Sequence, residues 1–248
     1  MGKETVFRLA VLAVAAAAGV IATGPMGGKP HLVVSALLAL LLLVLAGWMR
    51  QKAAYLSVLL FVVSGGTGRL VKTNAAVAVL HEVIGPVLLS LLCLLAVTAW
   101  TGSDAEVEDA GSPPLRSLAR WAPLVIAMQV ILGAFYRHGF LGISLHVLGA
   151  MSAGALIMFA GISVMILPGV GPVLRRVSWA LLTVTVLQFF FGIYAYLSRI
   201  AAEEAGVTAG VSHVAVSHIV TGGLTMGLSV VLSLLVNRYV RPSEAVAA

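Results

Sequence analysis

Long uninterrupted apolar runs are the feature that most constrains this chain. Eight runs are each close to the length of about 20 residues that a helix needs to cross a bilayer. They are Val6–Thr23, His31–Trp48, Ala53–Gly68, Ala75–Trp100, Trp121–Tyr136, His146–Leu167, Ser178–Leu197 and Val214–Val236. A transmembrane β-barrel would instead show alternating segments of about 10 residues. The sequence therefore predicts an all-α integral membrane protein with eight transmembrane helices.

The composition excludes several other classes of protein. Apolar residues make up 60% of the 248 residues and charged residues only 10%, against about 25% charged residues in an average soluble domain. The 15 Lys and Arg residues are scattered singly, so they form no basic patch for nucleic acid. Cys93 is the only cysteine, which excludes a disulfide scaffold and a cysteine-based metal site. Membrane lipid is the partner that this composition predicts.

The first apolar run has an alternative interpretation. Lys3 and Arg8 form a basic start, and the small residues Ala22 to Gly24 resemble the cleavage site of a signal peptide. We favour a retained helix, because the next apolar run follows after a few residues and suits a helical hairpin.

The distribution of basic residues predicts the orientation. If the N-terminus is cytoplasmic, the cytoplasmic segments carry ten basic residues and the outer loops carry five. The ten are Lys3, Arg8, Arg50, Lys52, Arg116, Arg120, Arg175, Arg176, Arg238 and Arg241, and the five are Lys29, Arg69, Lys72, Arg137 and Arg199. Because positive residues favour the cytoplasmic side, both termini are predicted to be cytoplasmic, in a bacterial-type inner or plasma membrane.

The longest polar stretch divides the chain into two similar halves. Thr101–Arg120 carries four acidic residues and a Pro-Pro pair, which is typical of a linker. We predict an N-terminal bundle (1–102), a cytoplasmic linker (103–119) and a C-terminal bundle (120–248). Gln129 and Gln188 each precede a glycine by four residues, in the fifth and seventh runs. This similarity predicts two pseudo-repeated four-helix bundles.

A histidine lies at or near the start of each even-numbered apolar run. The four are His31, His81, His146 and His218. The predicted orientation places all of them near the outer face, and ionisable residues inside a membrane are costly and usually functional. Imidazoles on facing helices can provide the two axial ligands of haem iron, whereas zinc needs three or four converging ligands. The pattern predicts these histidines as ligands of one or two b-type haems.

Neighbouring residues fit the same interpretation. Small residues follow each histidine by three to five places, about one helical turn on, and would leave room for a flat macrocycle; they are Ser35, Gly85, Gly149, Ala150, Gly222 and Gly223. Basic residues at the outer ends of the odd-numbered helices could neutralise haem propionates or simply anchor the interface; they are Arg69, Lys72, Arg137 and Arg199. His138 is expected to be solvated in a loop, and His213 competes with His218 as a ligand.

The chain resembles the haem A synthase family of cytochrome oxidase assembly over essentially its whole length. The resemblance rests on the eight runs, the four histidines and local strings, which are Gln129–His138, Gly65–Gly68 with Val77–His81, and Leu187–Gly192. It implies that His146 and His218 hold a b-type haem and that His31 and His81 form the pair in the substrate-haem half. It also implies an oxidoreductase activity, the oxidation of a haem O methyl group to give haem A.

The chain departs from the family pattern around the first histidine. The family has a glutamate three residues before that histidine, where this chain has Gly28, and the loop Gly24–Pro30 is short. Outer-loop cysteine pairs, present in many members, are missing. Glu82 is the acidic residue that could act as a catalytic acid or base in place of the missing glutamate. The alternative is a b-type electron-transfer subunit that passes electrons between quinol and a partner redox protein, in a homo- or hetero-oligomer and without hydroxylase activity.

Overall fold

Eight helices and one small strand pair make up the fold. The computed structural model describes residues 1–25, 27–109, 111–206 and 212–242. The helices are α1 (Lys3–Thr23), α2 (Gly28–Met49), α3 (Lys52–Gly68), α4 (Ala75–Ala99), α5 (Leu115–Arg137), α6 (Ile143–Ile166), α7 (Pro172–Glu204) and α8 (His213–Tyr239), and the strands are β1 (Val107–Asp109) and β2 (Val240–Pro242). Within the described ranges seven helices are long and apolar enough to cross a membrane, and α3 is a shorter apolar helix. The protein is therefore helical and an integral membrane protein.

Most helices extend beyond the predicted apolar runs, and α5 and α7 extend furthest. α5 begins at Leu115 instead of Trp121, inside the predicted linker, and α7 covers Pro172–Glu204 instead of Ser178–Leu197. The apolar runs end where polar residues begin, but backbone hydrogen bonding continues through these polar turns. The predicted C-terminal bundle ends at residue 248, and its residues 243–248 lie outside the described ranges.

Side-chain caps mark where several helices begin. The Asn74 side chain accepts hydrogen bonds from the backbone of Ala76 and Val77 at the start of α4, and Ser212 caps α8 in the same way. Asp109 accepts from the N–H groups of Leu115 and Arg116 at 3.0 Å, at the start of α5. Side-chain oxygens satisfy the free N–H groups of a first helical turn, so these residues fix the helix starts.

α4 and α8 are the central helices. Over an apolar stretch of 18 residues, 56% of the residues are buried in α4 and 50% in α8. The corresponding share in α7 is only 6%. α1 contacts α2 and α4, and α3 contacts the same two helices; likewise α5 and α7 each contact α6 and α8. α4 packs against α8 between these two sets of helices. The buried alanines of α1, such as Ala10 and Ala13, belong to the core that α1 forms with α2 and α4.

The outward faces of the helices are apolar. Large side chains such as Leu43, Phe159 and Phe190 are more than half exposed, at 63%, 63% and 55%. Exposed apolar area of this extent marks a surface that meets lipid or another protein. It is the surface expected of a bundle in a bilayer.

The two strands form a parallel pair that the sequence did not predict. Val107 pairs with Val240, and Asp109 pairs with Pro242. The side chain of Arg116 donates to the carbonyl of Val240, next to this pair. The segment predicted as a linker (103–119) is therefore partly strand and partly helix, and it is attached to the end of α8.

The short connections place the four histidine-bearing helix starts at one end of the bundle, which we call the histidine end. The opposite, linker end carries the tryptophans, which are Trp48, Trp100, Trp121 and Trp179. The indole N–H of Trp48 donates to the carbonyl of Met1 at 3.1 Å, which joins the end of α2 to the start of α1. Interfacial tryptophans are typical anchors of membrane helices.

Candidate functional site

Each of the four histidines lies against a glycine of the preceding odd-numbered helix or its end. A Cβ atom placed on Gly68, Gly133 or Gly192 would lie only 3.1, 2.9 or 2.8 Å from the ring carbon Cε1 of His81, His146 or His218, respectively. Gly24 has the same relation to His31 at 3.8 Å. The absence of a side chain therefore lets the ring approach the helix. Sequence reasoning noted two of these glycines as part of a repeat but missed the contact.

In the N-terminal half, threonine hydroxyls bind the histidine Nδ1 atoms. Thr23 Oγ1 lies 3.2 Å from His31 Nδ1 and donates its own proton to the carbonyl of Gly19 at 2.7 Å. Thr67 has the same arrangement, at 3.2 Å from His81 Nδ1. Since a hydroxyl has one proton to donate, each Nδ1–H must donate to its threonine. The Nε2 atoms of both rings then carry the lone pair that a metal ligand requires.

In the C-terminal half, the hydrogen-bond partners of the histidine Nδ1 atoms are two glutamines. His218 Nδ1 donates to the backbone carbonyl of Gln188 at 3.1 Å, so its Nε2 also carries the lone pair. Gln129 Nε2 lies 3.0 Å from His146 Nδ1 and 2.9 Å from the carbonyl of the same residue. Metal-binding histidines almost always donate their second ring N–H to such a partner; His218 does so, whereas Nδ1 of His146 accepts from the Gln129 amide.

The rings of His146 and His218 lie close to each other. Their ring centres are 6.3 Å apart and their planes are at 86°. A metal bond to an imidazole nitrogen is about 2 Å, and the ring centre lies about 1 Å behind that nitrogen, so one metal atom at which both nitrogens point separates the two centres by about 6 Å. The observed separation of the ring centres is close to that value. His31 and His81 lie on α2 and α4, which both contact α1 and α3.

Two of the predicted propionate partners form ion pairs within the chain. Arg137 Nη1 lies 3.0 Å from one oxygen of Glu82, and Arg199 pairs with Glu203 at 2.9 Å. The Arg199 guanidinium also lies 5.2 Å from the ring centre of Tyr136, and that ring is stacked on His146 at 6.0 Å.

The other two predicted partners, Arg69 and Lys72, lie in the exposed turn after α3. Within the described ranges neither forms an ion pair. All four basic residues are at the histidine end.

The structure corrects the expectation for His138. Its Nε2 lies 2.9 Å from the second oxygen of Glu82, so this side chain is bound and not solvated in a loop. Glu82 on α4 thus contacts both Arg137 and His138 at the end of α5. This cluster joins the two halves of the chain beside His81.

The room predicted beside the histidines is filled by side chains. A Cβ atom on Gly149 would clash with the Gln129 amide, and one on Gly222 would lie 3.1 Å from Gln188 Nε2. Ile21 occupies the space beside Gly85 and Gly223. The expectation of open slots was therefore wrong, since flexible side chains of α1, α5 and α7 lie in them.

The structure also separates His213 from His218. His213 is the first residue of α8 and is exposed, whereas His218 is half-buried and faces His146. Two cavities of about 270 and 260 Å³ lie at the linker end, around Asp109. Within the described residues, no group of three or more His, Cys, Asp or Glu side chains is placed to hold a metal ion.

No protein-family model matches the chain, and no curated protein matches it. The resemblance to the haem A synthase family therefore rests on the residues quoted above.

Proposed function

We propose that this protein is a haem-binding membrane redox protein. In this proposal His146 and His218 ligate one b-type haem, and His31 and His81 form a second pair. The separation of 6.3 Å between the His146 and His218 rings carries the proposal, because it suits two axial ligands of one iron. A bound haem would supply one-electron redox chemistry.

The residues of the chain orient the ligands and exclude water. In His31, His81 and His218, a hydrogen bond donated by Nδ1 would fix the ring orientation and raise the basicity of the ligating nitrogen. The glycines below each ring set how close it lies to the neighbouring helix. The surrounding apolar helices keep water away from the rings, which favours tight axial ligation.

We also propose two pseudo-repeated bundles of four membrane-spanning helices, with both termini cytoplasmic. The matching contacts of α1–α4 and of α5–α8 support the repeat, as does the glycine under each histidine. α3 has 17 residues and is therefore about 26 Å long, close to the thickness of about 30 Å of a hydrocarbon core. The excess of basic residues at the linker end supports the orientation.

The first candidate activity is that of a haem A synthase, the oxidation of a haem O methyl group during oxidase assembly. It is supported by the resemblance of the sequence. Glu82 is the candidate acid or base, since it is adjacent to His81. Arg69 and Lys72 are candidates for binding haem propionates.

The second candidate is electron transfer between quinol and a partner redox protein. It is supported by the engagement of the Glu82 carboxylate with Arg137 and His138, which leaves that group less free for proton transfer. Two histidine ligands on one iron also suit electron transfer, because neither axial position is open to oxygen.

A pyridine haemochrome spectrum of the purified protein, with haem quantified per chain, tests the proposal. Two haems of the b type would support electron transfer, and haem B together with haem O or haem A would support the synthase. If the protein, produced with ample haem, contains none, the proposed function is wrong.

A further inference from the structure

In the C-terminal half, a side-chain amide covers the lone pair of each histidine. The chain has three glutamines, Gln51, Gln129 and Gln188. The last two lie four residues before Gly133 and Gly192, the glycines under His146 and His218. Their side chains reach from α5 and α7 to the histidine of the next helix.

Gln188 holds His218 through both ring nitrogens. The backbone carbonyl of Gln188 accepts from Nδ1, and its side-chain Nε2 lies 3.4 Å from His218 Nε2. The hydroxyl of Thr221 donates its one proton to the amide oxygen of Gln188 or to the carbonyl of Ser217, and in the first case it anchors the amide against α8. The lone pair of His218 Nε2, the one that iron would use, therefore already accepts a hydrogen bond.

Gln129 acts on His146 through Nδ1. Its Nε2 donates to both Nδ1 and the backbone carbonyl of His146, so the lone pair of the ring lies on Nδ1 and the proton on Nε2. The amide oxygen of Gln129 is buried and has no hydrogen-bond partner within the described residues. If this amide rotated, its oxygen would face Nδ1 and accept a hydrogen bond from it. The ring proton would then be on Nδ1, and Nε2 would carry the lone pair.

The N-terminal half lacks these amides. The residues four places before Gly24 and Gly68 are Val20 and Ser64, which carry no side-chain amide. Within the described part of the chain, Nε2 of His31 and Nε2 of His81 have no hydrogen-bond partner. The two halves therefore present their ligands differently.

We propose that Gln129 and Gln188 are positioning residues that control haem entry into the C-terminal pair. Each amide must turn away before iron can bind its histidine, so this pair loads more slowly than the N-terminal pair. The inference rests on the proposed function, since it concerns the same four histidines, but it makes a separate claim about rates.

Stopped-flow absorbance at the Soret band tests the inference. The full-length chain, produced without haem and placed in lipid nanodiscs, is mixed with haemin. A His31→Ala, His81→Ala background limits the signal to the C-terminal pair. In this background Gln188→Ala should accelerate haem association about fivefold, the factor for one neutral hydrogen bond that no longer has to break. Gln129→Ala should act in the same direction.

Two further variants make the result specific. Gln51→Ala applies the same change at the exposed linker end and should leave the rate as it is. Thr221→Val keeps the amide of Gln188 but removes its anchor, so it should also accelerate association. Unchanged or slower association in both glutamine variants, with a normal final Soret spectrum, would overturn the inference while leaving the proposed function intact. Failure of every variant to bind haemin would instead contradict the proposed function.

Discussion

His146 and His218 are placed 6.3 Å apart, ring centre to ring centre, and their planes are nearly perpendicular. The two rings come from α6 and α8, and each is supported from behind by a glycine on α5 or α7. Each ring therefore lies against a stretch of helix that carries no side chain at the point of contact.

Replacing one histidine of this pair should remove one haem and spare the other. His218→Ala removes an axial ligand, whereas the N-terminal pair lies on α2 and α4 and keeps both of its ligands. The haem content per chain, measured by pyridine haemochrome, should fall from two to one. His213→Ala is the matched control and should keep both haems. Loss of both haems from His218→Ala would contradict two separate sites.

Gly192→Ala should disturb the same site without removing a ligand. The new methyl group would lie 2.8 Å from His218 Cε1, and overpacking of this kind costs about 1–3 kcal/mol. We expect a lower haem occupancy of the C-terminal pair and a shifted Soret maximum. Gly154→Ala places the same methyl group on α6 where no atom lies within 4 Å, and its spectrum should match that of the unmodified protein.

The threonine hydroxyls should determine the haem affinity of the N-terminal pair. Thr23→Val removes the only hydrogen-bond partner of His31 Nδ1 within the described residues, and loss of such a partner costs about tenfold or more in metal affinity. Thr67→Val should lower the haem affinity less, because the carbonyl of Ser64 still accepts a hydrogen bond from His81 Nδ1 at 3.1 Å. Haemin titrations measure the affinities of both threonine variants, in a His146→Ala, His218→Ala background that leaves only the N-terminal pair. Thr23→Ser keeps the hydroxyl and should restore the affinity, and an affinity of Thr23→Val equal to that of the unmodified protein would exclude this role.

Glu82→Gln should loosen the contact between α4 and α5 while leaving the haem content intact. The ion pair with Arg137 is partly exposed, and such pairs contribute at most about 1 kcal/mol. A small decrease in thermal stability is therefore expected. Glu203→Gln, which removes the exposed ion pair with Arg199, is the control and should change stability less. If Glu82→Gln abolishes haem oxidation while both haems stay bound, Glu82 is the catalytic group of a synthase.

Asp109→Ala should destabilise the start of α5. The carboxylate is 5% exposed and accepts hydrogen bonds from three backbone N–H groups. Loss of a cap costs about 1 kcal/mol, so amide exchange at Leu115 and Arg116 should become about five times faster. Glu108→Ala, at an exposed neighbour, should leave that exchange unchanged, and an equal effect of both variants would show that Asp109 is not the cap.

The helices and the histidines could be predicted from the sequence because both depend on local patterns. A continuous apolar run identifies a membrane helix whatever its neighbours, and the position of His81 or His146 at the start of a run follows directly. The residues behind the histidines could not be predicted in this way. Thr67 and Gln129 act on a ring of the next helix, and such a contact depends on how two helices pack.

The linker likewise has one feature that could be predicted from the local sequence and one that could not. Its acidic residues and prolines predicted a linker between two halves, and the structure has a break in helix between Ala99 and Leu115. The pairing of Val107 with Val240 could not be foreseen, since the two residues are far apart in the chain and three-residue strands have no distinct sequence pattern. The capping role of Asp109 depends on that pairing, because the strand brings the carboxylate to the start of α5.

The pairing of Val107 with Val240 also restricts how many of the helices between them can cross the membrane. The two strands can meet only if the chain leaves and returns to the same side of the bilayer, which requires an even number of crossings by the four helices between them. A nascent chain in which one of those helices fails to insert would leave the strands on opposite sides and the start of α5 uncapped. The β1–β2 pair would then form only in a molecule whose helices α5–α8 have inserted with the correct topology.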